Sequence, residues 1–310
     1  MIARPFMWMP LLAAVLSPSG TSLAADLPEA CSSYKAAVTG GPLPPTDSDV
    51  VAVRWLGNAN FEFAYKGKVY LFDTYFDRTP RAHDIGFKAV DVSKADAIFV
   101  SHAHFDHISD VGLVARQTGA PVVGAPISAD VARKLGVPEK QIVTAKGGET
   151  MTYGNATVEI ALAQHSTIQA GLTDIYASLY KNDSPPFTEE EENRLKEVRA
   201  RGSFDPKIIT EGTLAYALVL PSGFKAVLIG SAGPITPGVR ALAEKLGPVD
   251  LAIVAYQVHA VADTQIGYTW PFIDLFKPKL FMPAHHDSNP IAWVDLGLEP
   301  MFLKNPGHNA

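Results

Sequence analysis

Between Ser101 and Ile108 the chain reads Ser-His-Ala-His-Phe-Asp-His-Ile, directly after the apolar stretch Ala97–Val100. Four side chains able to hold a metal (His102, His104, Asp106 and His107) therefore fall within six residues at the end of a predicted strand. Residues two apart in a turn can point the same way, so His102 and His104 can share one ion. Asp106 and His107, entering a helix predicted over Ile108–Gln117 and stopped by Gly119, can aim at a second position. Neutral imidazoles with a carboxylate are the ligand set of catalytic zinc, which keeps one coordination place for water. The competing reading is a polar loop whose histidines only hydrogen-bond; four such groups converging are hard to satisfy without a cation. A strand running into such a loop and then a helix belongs to α/β architectures, whose chemistry sits at strand ends.

The rest of the chain repeats that rhythm. Strands are predicted before the motif at Val51–Trp55, Phe61–Tyr65 and Val69–Asp73, with turns at Gly57-Asn58 and Lys66-Gly67. After it come a strand at Pro121–Gly124, a helix at Ser128–Leu135 with Ser128 as N-cap, and strands at Gln141–Thr144 and Thr157–Ala163. Strands at Thr213–Leu220, Lys225–Gly230, Leu251–Ala255 and Lys279–Met282 follow, with a helix at Pro237–Leu246. Strand clusters alternating with helices in both halves predict two sheets packed face to face with helices outside. His165, His285 and His286 also stand just beyond strand ends. His259 follows the Leu251–Ala255 strand, near where a substrate would sit. His83 and His308 have no supporting context and read as surface residues.

Residues 172–210 break the pattern and read as a helical insertion. Ser184-Pro185-Pro186 is a turn, Thr188 opens a capping box with Glu191, and a charged helix runs to about Arg201 before Gly202. Two readings stand open. One is a lid carrying Tyr176, Tyr180, Phe187 and Phe204; the other is a solvated helix with an acidic Glu189–Glu192 face.

Composition narrows the chemistry. Cys31 is the single cysteine, which excludes an internal disulfide and a cysteine-built zinc cluster. Any ion must then be held by histidine and carboxylate. Hydrophobic residues at 47% and charged residues at 19% supply a large core, and exclude a disordered or fibrous chain. The formal net charge is −6 with no concentration of Lys and Arg, which argues against a nucleic-acid or anionic-membrane partner. Residues 1–25 read as a secretory signal peptide: Arg4, an apolar run from Phe6 to Leu16, then small residues to Ala24-Ala25. That run is shorter than the roughly 20 residues that span a bilayer. Cleavage after Ala24 or Ala25 would release a periplasmic or secreted chain without stable membrane insertion; the alternative is an uncleaved anchor. Residues 26–49, rich in Pro, Ser and Thr, read as a loosely held lead-in.

His102-x-His104-x-Asp106-His107 after an apolar strand, a later strand-end His165 and a final Pro283-Ala284-His285 resemble the metallo-β-lactamase superfamily. The resemblance covers roughly Val50 to the C-terminal region, apart from 172–210. It implies a four-layer αββα sandwich with metals at one edge of the sheets, in a domain of residues 50–310. It also implies that His102, His104 and His165 hold a first metal, and that Asp106, His107 and His285 hold a second. Asp106 would orient the nucleophile as well. Asp73 matches the acidic residue that ends an early strand and supports the metal loops without touching the ions. His286 competes with His285 for the final ligand role, and otherwise faces substrate or solvent.

Two departures carry information. Many binuclear members place a bridging aspartate at the end of the strand that here precedes Ser231, and serine there is similar to serine-containing zinc β-lactamases. One negative charge fewer should weaken the second site and favour zinc over iron or manganese. Ser231 reads either as a hydrogen-bond partner of a bridging water or as a small residue at a tight turn. The outline around Trp55-Leu56-Gly57-Asn58-Ala59-Asn60 is instead similar to the ascorbate-phosphate lactonase branch, which often has Gly-His-Ala where this chain has Gly57-Asn58-Ala59. The expectation is an exported hydrolase with one or two Zn²⁺ per chain, using metal-bound hydroxide on a small ester, lactone or amide-like substrate. The alternatives are a β-lactamase proper and a non-catalytic metal-binding protein of the same fold.

Overall fold

A computed structural model describes residues 35–82, 84–167, 186–256 and 262–287, with backbone alone for 262–268. The leader, Cys31, the start of the lead-in, His83, Tyr176, Tyr180, Ser184-Pro185, His259 and His308 lie outside the described residues. No described helix is long and apolar enough to cross a membrane.

Twelve described strands form two six-stranded sheets. The first runs in chain order, β1 (Ala52–Trp55), β2 (Phe61–Tyr65), β3 (Lys68–Phe72), β4 (Ala97–Phe99), β5 (Val122–Gly124) and β6 (Ile142–Thr144). In the second, β7 (Thr150–Tyr153), β8 (Ala156–Ala163), β9 (Thr213–Val219), β10 (Lys225–Ile229), β11 (Leu251–Ala255) and β12 (Leu280–Ala284) also neighbour in chain order. β3 to β6 are parallel, as are β10 to β12; β9 is antiparallel to both β8 and β10. β8 therefore points the same way as β10.

Alternation along the strands builds the layers. In β9, Leu214, Tyr216 and Leu218 face inward to a core shared with Phe72, Phe99 and Val123 of the first sheet, while Ala215 and Ala217 face outward. The first sheet turns Leu71, Ile98 and Val122 outward against Ile108, Val111, Val114 and Val131 of helices α1 (Phe105–Ile108), α2 (Val111–Thr118) and α3 (Pro126–Lys134). α4 (Glu189–Arg199) and α5 (Lys207–Thr210) follow in the chain. The second sheet is covered by Val239, Leu242 and Leu246 of α6 (Pro237–Leu246) and by Phe272 and Phe276 of α7 (Ala262–Phe276). This is the four-layer αββα sandwich. Each fully buried Phe or Leu contributes about 1.5–3 kcal/mol. The inner core is also tied by the Tyr216 hydroxyl, which reaches across to Val100 O (2.8 Å) and Val123 O (3.2 Å). Burial pushes that phenol well above its ordinary pKa.

Several local expectations are corrected. Ser128 is not an N-cap: the helix starts at Pro126 with Ala125 before it, and Ser128 is buried. Proline is preorganised for the first turn, and that signal outranks the serine. The helix expected at Ile108–Gln117 is two, broken where Asp110 leaves helical geometry (φ −107°, ψ 4°). The Asp110 amide donates to Thr74 O, and its carboxylate accepts the Phe76 and Asp77 amides. β7, α5 and α7 had no counterpart in the sequence reading, and β12 extends two residues further, to Ala284. The capping box at Thr188 is formed, with Glu191 N donating to Thr188 Oγ1 and Thr188 N to Glu191 Oε2.

Candidate metal centre

Because β3, β4, β8, β10 and β12 run one way, their C-terminal ends share one edge of the sandwich. There the chain places Asp73, Ser101 with His102, His165, Ser231 and His285. Asp73 and His285 have left-handed backbones (φ 56° and 60°), as does Asn58 (φ 51°). Non-glycine residues seldom adopt this geometry, and where they do it is held by surrounding contacts.

His102, His104 and His165 form one group, and Asp106, His107 and His285 another; within each group one ligand atom per residue lies within 4.8 Å of the others. The hydrogen bonds behind these rings choose which nitrogen is free. The Ser101 hydroxyl donates to Asp73 Oδ2 (2.8 Å), so at 3.1 Å from His102 Nδ1 it can accept that ring's proton. Asp73 Oδ2 lies 2.7 Å from His107 Nδ1 and accepts its proton. His165 Nδ1 lies 2.6 Å from Ser166 O, which can only accept. The Nε2 atoms of His102, His107 and His165 are thereby left as lone pairs. Those of His107 and His165 are buried with no hydrogen-bond partner, the condition a cation relieves. In the second group, Asp106 Oδ2 lies 2.9 Å from His285 Nε2 and 3.6 Å from His107 Nε2. The donor set fits a metal ion at each group.

Electrostatics agree with neutral imidazoles in the first group. Burial, then neighbouring rings, hold His102 far below the ordinary histidine value. Burial brings His104 down to about 4 and His165 to about 3, with His104 adding to the latter. Burial also opposes charge on His107, but Asp106 and Asp73 outweigh it and raise the ring. Asp106 would be pushed up by burial alone; His107 and His285 hold its carboxyl well below the usual range.

Of the two adjacent histidines, the structure brings His285 into the cluster. His286 stacks on Trp55, with ring centroids 4.5 Å apart. Ser231 is fully buried, and its hydroxyl accepts the Ser166 amide (3.1 Å), fastening the turn that carries His165. Asp73 lies behind His107 and Ser101, accepting the Ser101 main-chain amide.

The sequence reading missed Asn58, Arg78 and Asp287. The Asn58 side-chain amide donates to Asp106 O (2.7 Å), and the Asn58 main-chain carbonyl accepts His285 N (2.9 Å) and Trp55 Nε1 (2.8 Å). Its main-chain amide donates to Asp287 Oδ1 (2.8 Å), and Asp287 Oδ2 accepts Arg78 Nη1 (2.6 Å). One asparagine thus joins the turn after β1, the Asp106 helix and the His285 loop. The available signal was Asn58 standing in the histidine position of Gly-His-Ala.

Fold and donor set together define a metallohydrolase architecture on the αββα sandwich. The chain belongs to the beta-lactamase superfamily domain family, whose model matches residues 68–286. A UPF0173 metal-dependent hydrolase of Chloroflexus aurantiacus is 27% identical over 244 residues, 78% of this chain and 84% of that protein. Another, from Roseiflexus castenholzii, is 29% identical over 243 residues, 77% and 84% of the two chains. The solved structure of Igni18, a novel metallo hydrolase from the archaeon Ignicoccus hospitalis, superposes with a TM-score of 0.53 at 16% identity. That match covers 77% of this chain and 84% of Igni18, and speaks to the fold. The chain is a metal-dependent hydrolase of the metallo-β-lactamase fold.

Proposed function

We propose that this chain is an exported zinc hydrolase acting on a small ester, lactone or amide-like substrate. The observation that carries the reading is the pairing of an all-imidazole group, His102, His104 and His165, with a mixed group, Asp106, His107 and His285. Nitrogen-rich sites of this kind suit zinc, and Ser231 in place of a bridging carboxylate lowers the negative charge that iron or manganese would favour. Zinc bound there would polarise a scissile carbonyl and bring the pKa of a water to about 7. The residues' own part is orientation. Asp73 and Ser101 fix the tautomers of His107 and His102, and the Ser166 carbonyl fixes that of His165. Asn58 anchors the backbone of Asp106 so that its carboxylate faces the reacting centre, where it would orient the attacking water.

The test is a substrate panel with zinc-loaded and chelator-treated protein: aryl esters, lactones, a phosphodiester and nitrocefin. Ester or lactone turnover that disappears with chelator and in His104→Ala supports the proposal. Absence of all turnover in the loaded protein would overturn it. Nitrocefin turnover would instead favour the β-lactamase reading, for which export and Ser231 speak. Export is supported by the pattern of residues 1–25. N-terminal sequencing of protein recovered from a bacterial periplasmic extract should begin at Ala25 or Asp26, and an intact Met1 would refute it.

A further inference from the structure

Beside the first histidine group lies an open groove of about 630 Å³, lined by Phe187, Leu195, Arg199 and Phe204 and by the paired Glu192 and Lys196. It is built on α4 and the turn that follows, and that turn is clamped to the metal loop. Ser203 N donates to Ala103 O (2.8 Å), and Gly202 packs so closely on the Phe105 backbone that a Cβ there would collide. The clamp sets Phe204 beside the site, its ring 5.7 Å from that of His104. Phe204 is nevertheless 56% exposed, an apolar platform open to solvent at the mouth of the centre.

Arg199 is held over this platform, its guanidinium 5.2 Å from the Phe204 ring and 5.9 Å from the Phe105 ring. The other cations of this segment are engaged: Lys196 faces Glu192 at 3.7 Å, Arg194 pairs with Glu197, and Arg201, just past the helix, bridges Glu197 and Asp110. Among the described residues Arg199 meets no carboxylate. A guanidinium spread on aromatic faces keeps its in-plane N–H donors free for an anion. Phe204, beside His104, thus carries Arg199 on its ring, and Leu195 and Phe187 supply the rest of the groove's apolar lining.

We infer that this groove is a substrate subsite that selects acyl substrates with an apolar body and a carboxylate, with Arg199 taking the carboxylate and Phe204 the apolar body. The planar guanidinium fork matches a carboxylate bidentately. The inference deepens the proposed hydrolysis of a small ester or lactone, and rests on that reading for the reacting group.

Binding separates the two. Zinc-loaded full-length protein is titrated by calorimetry with 4-phenylbutyrate and with 4-phenylbutanamide, its uncharged counterpart. The carboxylate should bind about fivefold or more tightly than the amide in the wild type, the size expected of a partly solvated charge-assisted contact. In Arg199→Gln the two should bind equally. Phe204→Ala should weaken both alike. Equal binding in the wild type, or a carboxylate preference that survives Arg199→Gln because the anion sits on the metal, would overturn the subsite. A Phe204→Ala protein that binds both probes as well as the wild type would remove the platform. Should the wild type show the preference yet turn over no ester, the hydrolysis reading falls and the subsite stands.

Discussion

Asp73 Oδ2 lies 2.7 Å from Nδ1 of His107, both side chains almost fully buried, on residues 34 positions apart. The contact directs the opposite nitrogen of His107 toward Asp106. Asp73→Asn keeps a residue that tolerates the left-handed backbone but removes the charge. Carboxylate partners of metal-binding histidines are typically worth 10–100-fold in metal affinity. Asp73→Asn should therefore lose about that much in a chelator competition while retaining its circular dichroism spectrum. Unchanged affinity would show that Asp73 only supports the fold.

Asn58 offers a cleaner test of how Asp106 is held. Gly at this position keeps the φ of 51° without strain and preserves every main-chain bond, deleting only the side-chain amide's bonds to Asp106 O and, at 3.5 Å, to Asp106 Oδ2. Leaving that buried acceptor unmet should cost about 1–3 kcal/mol in urea unfolding, together with weaker retention of a second metal equivalent. A variant as stable and as metal-replete as the wild type would refute the role.

The buried pair Arg78–Asp287 ties the His285 loop to the Asn58 turn. Removing one partner of such a pair costs about 3–5 kcal/mol, because the other charge stays buried. Asp287→Ala should be destabilised by that order, and adding Arg78→Met should recover part of the loss. A double variant worse than the sum of the singles would contradict this account.

Acid should destabilise the metal-free protein earlier than carboxylate titration alone would. Unfolded histidines take up protons near pH 6.5, whereas folded His104 and His165 resist until about 4 and 3. The unfolded state thus binds more protons in this window, so stability falls as pH drops from about 6.5 toward 4. The fully buried His102 acts in the same direction. His107, whose value is raised, contributes in the opposite sense, with stability present below pH 6.5 and lost as pH rises through its folded value. With His286, which burial also lowers, four rings against one leave the net slope downward with acid, at about 1.4 kcal/mol per pH unit for each net proton. Urea unfolding of chelator-treated protein at pH 7, 6 and 5 measures it, and equal stability at the three values would contradict these shifts.

What could be read from the sequence follows the range of the interactions. His102 to His107 declare themselves because their spacing is local and follows an apolar strand. His165 and His285 are legible because parallel strands bring their C-terminal ends to one edge, so a strand-end position is already a spatial statement. Asn58, Arg78 and Asp287 are not, since their bonds span 48, 209 and 229 residues and depend on how the two sheets close on each other. Ser231 shows the same limit: its place at a strand end was legible, but its bond to Ser166 required the fold. α7 escaped notice because Gly267 and Pro271 interrupt the helical signal that packing against the second sheet overrides.

The central claim is that the two side-chain groups hold metal, and metal content per chain tests it most directly. The mature protein, purified without chelator and analysed by plasma mass spectrometry, should carry one or two zinc ions per chain. His104→Ala should lose the first-site equivalent and His285→Ala the second. No metal in the wild type, even after zinc is added back, would contradict the account and the hydrolytic reading with it.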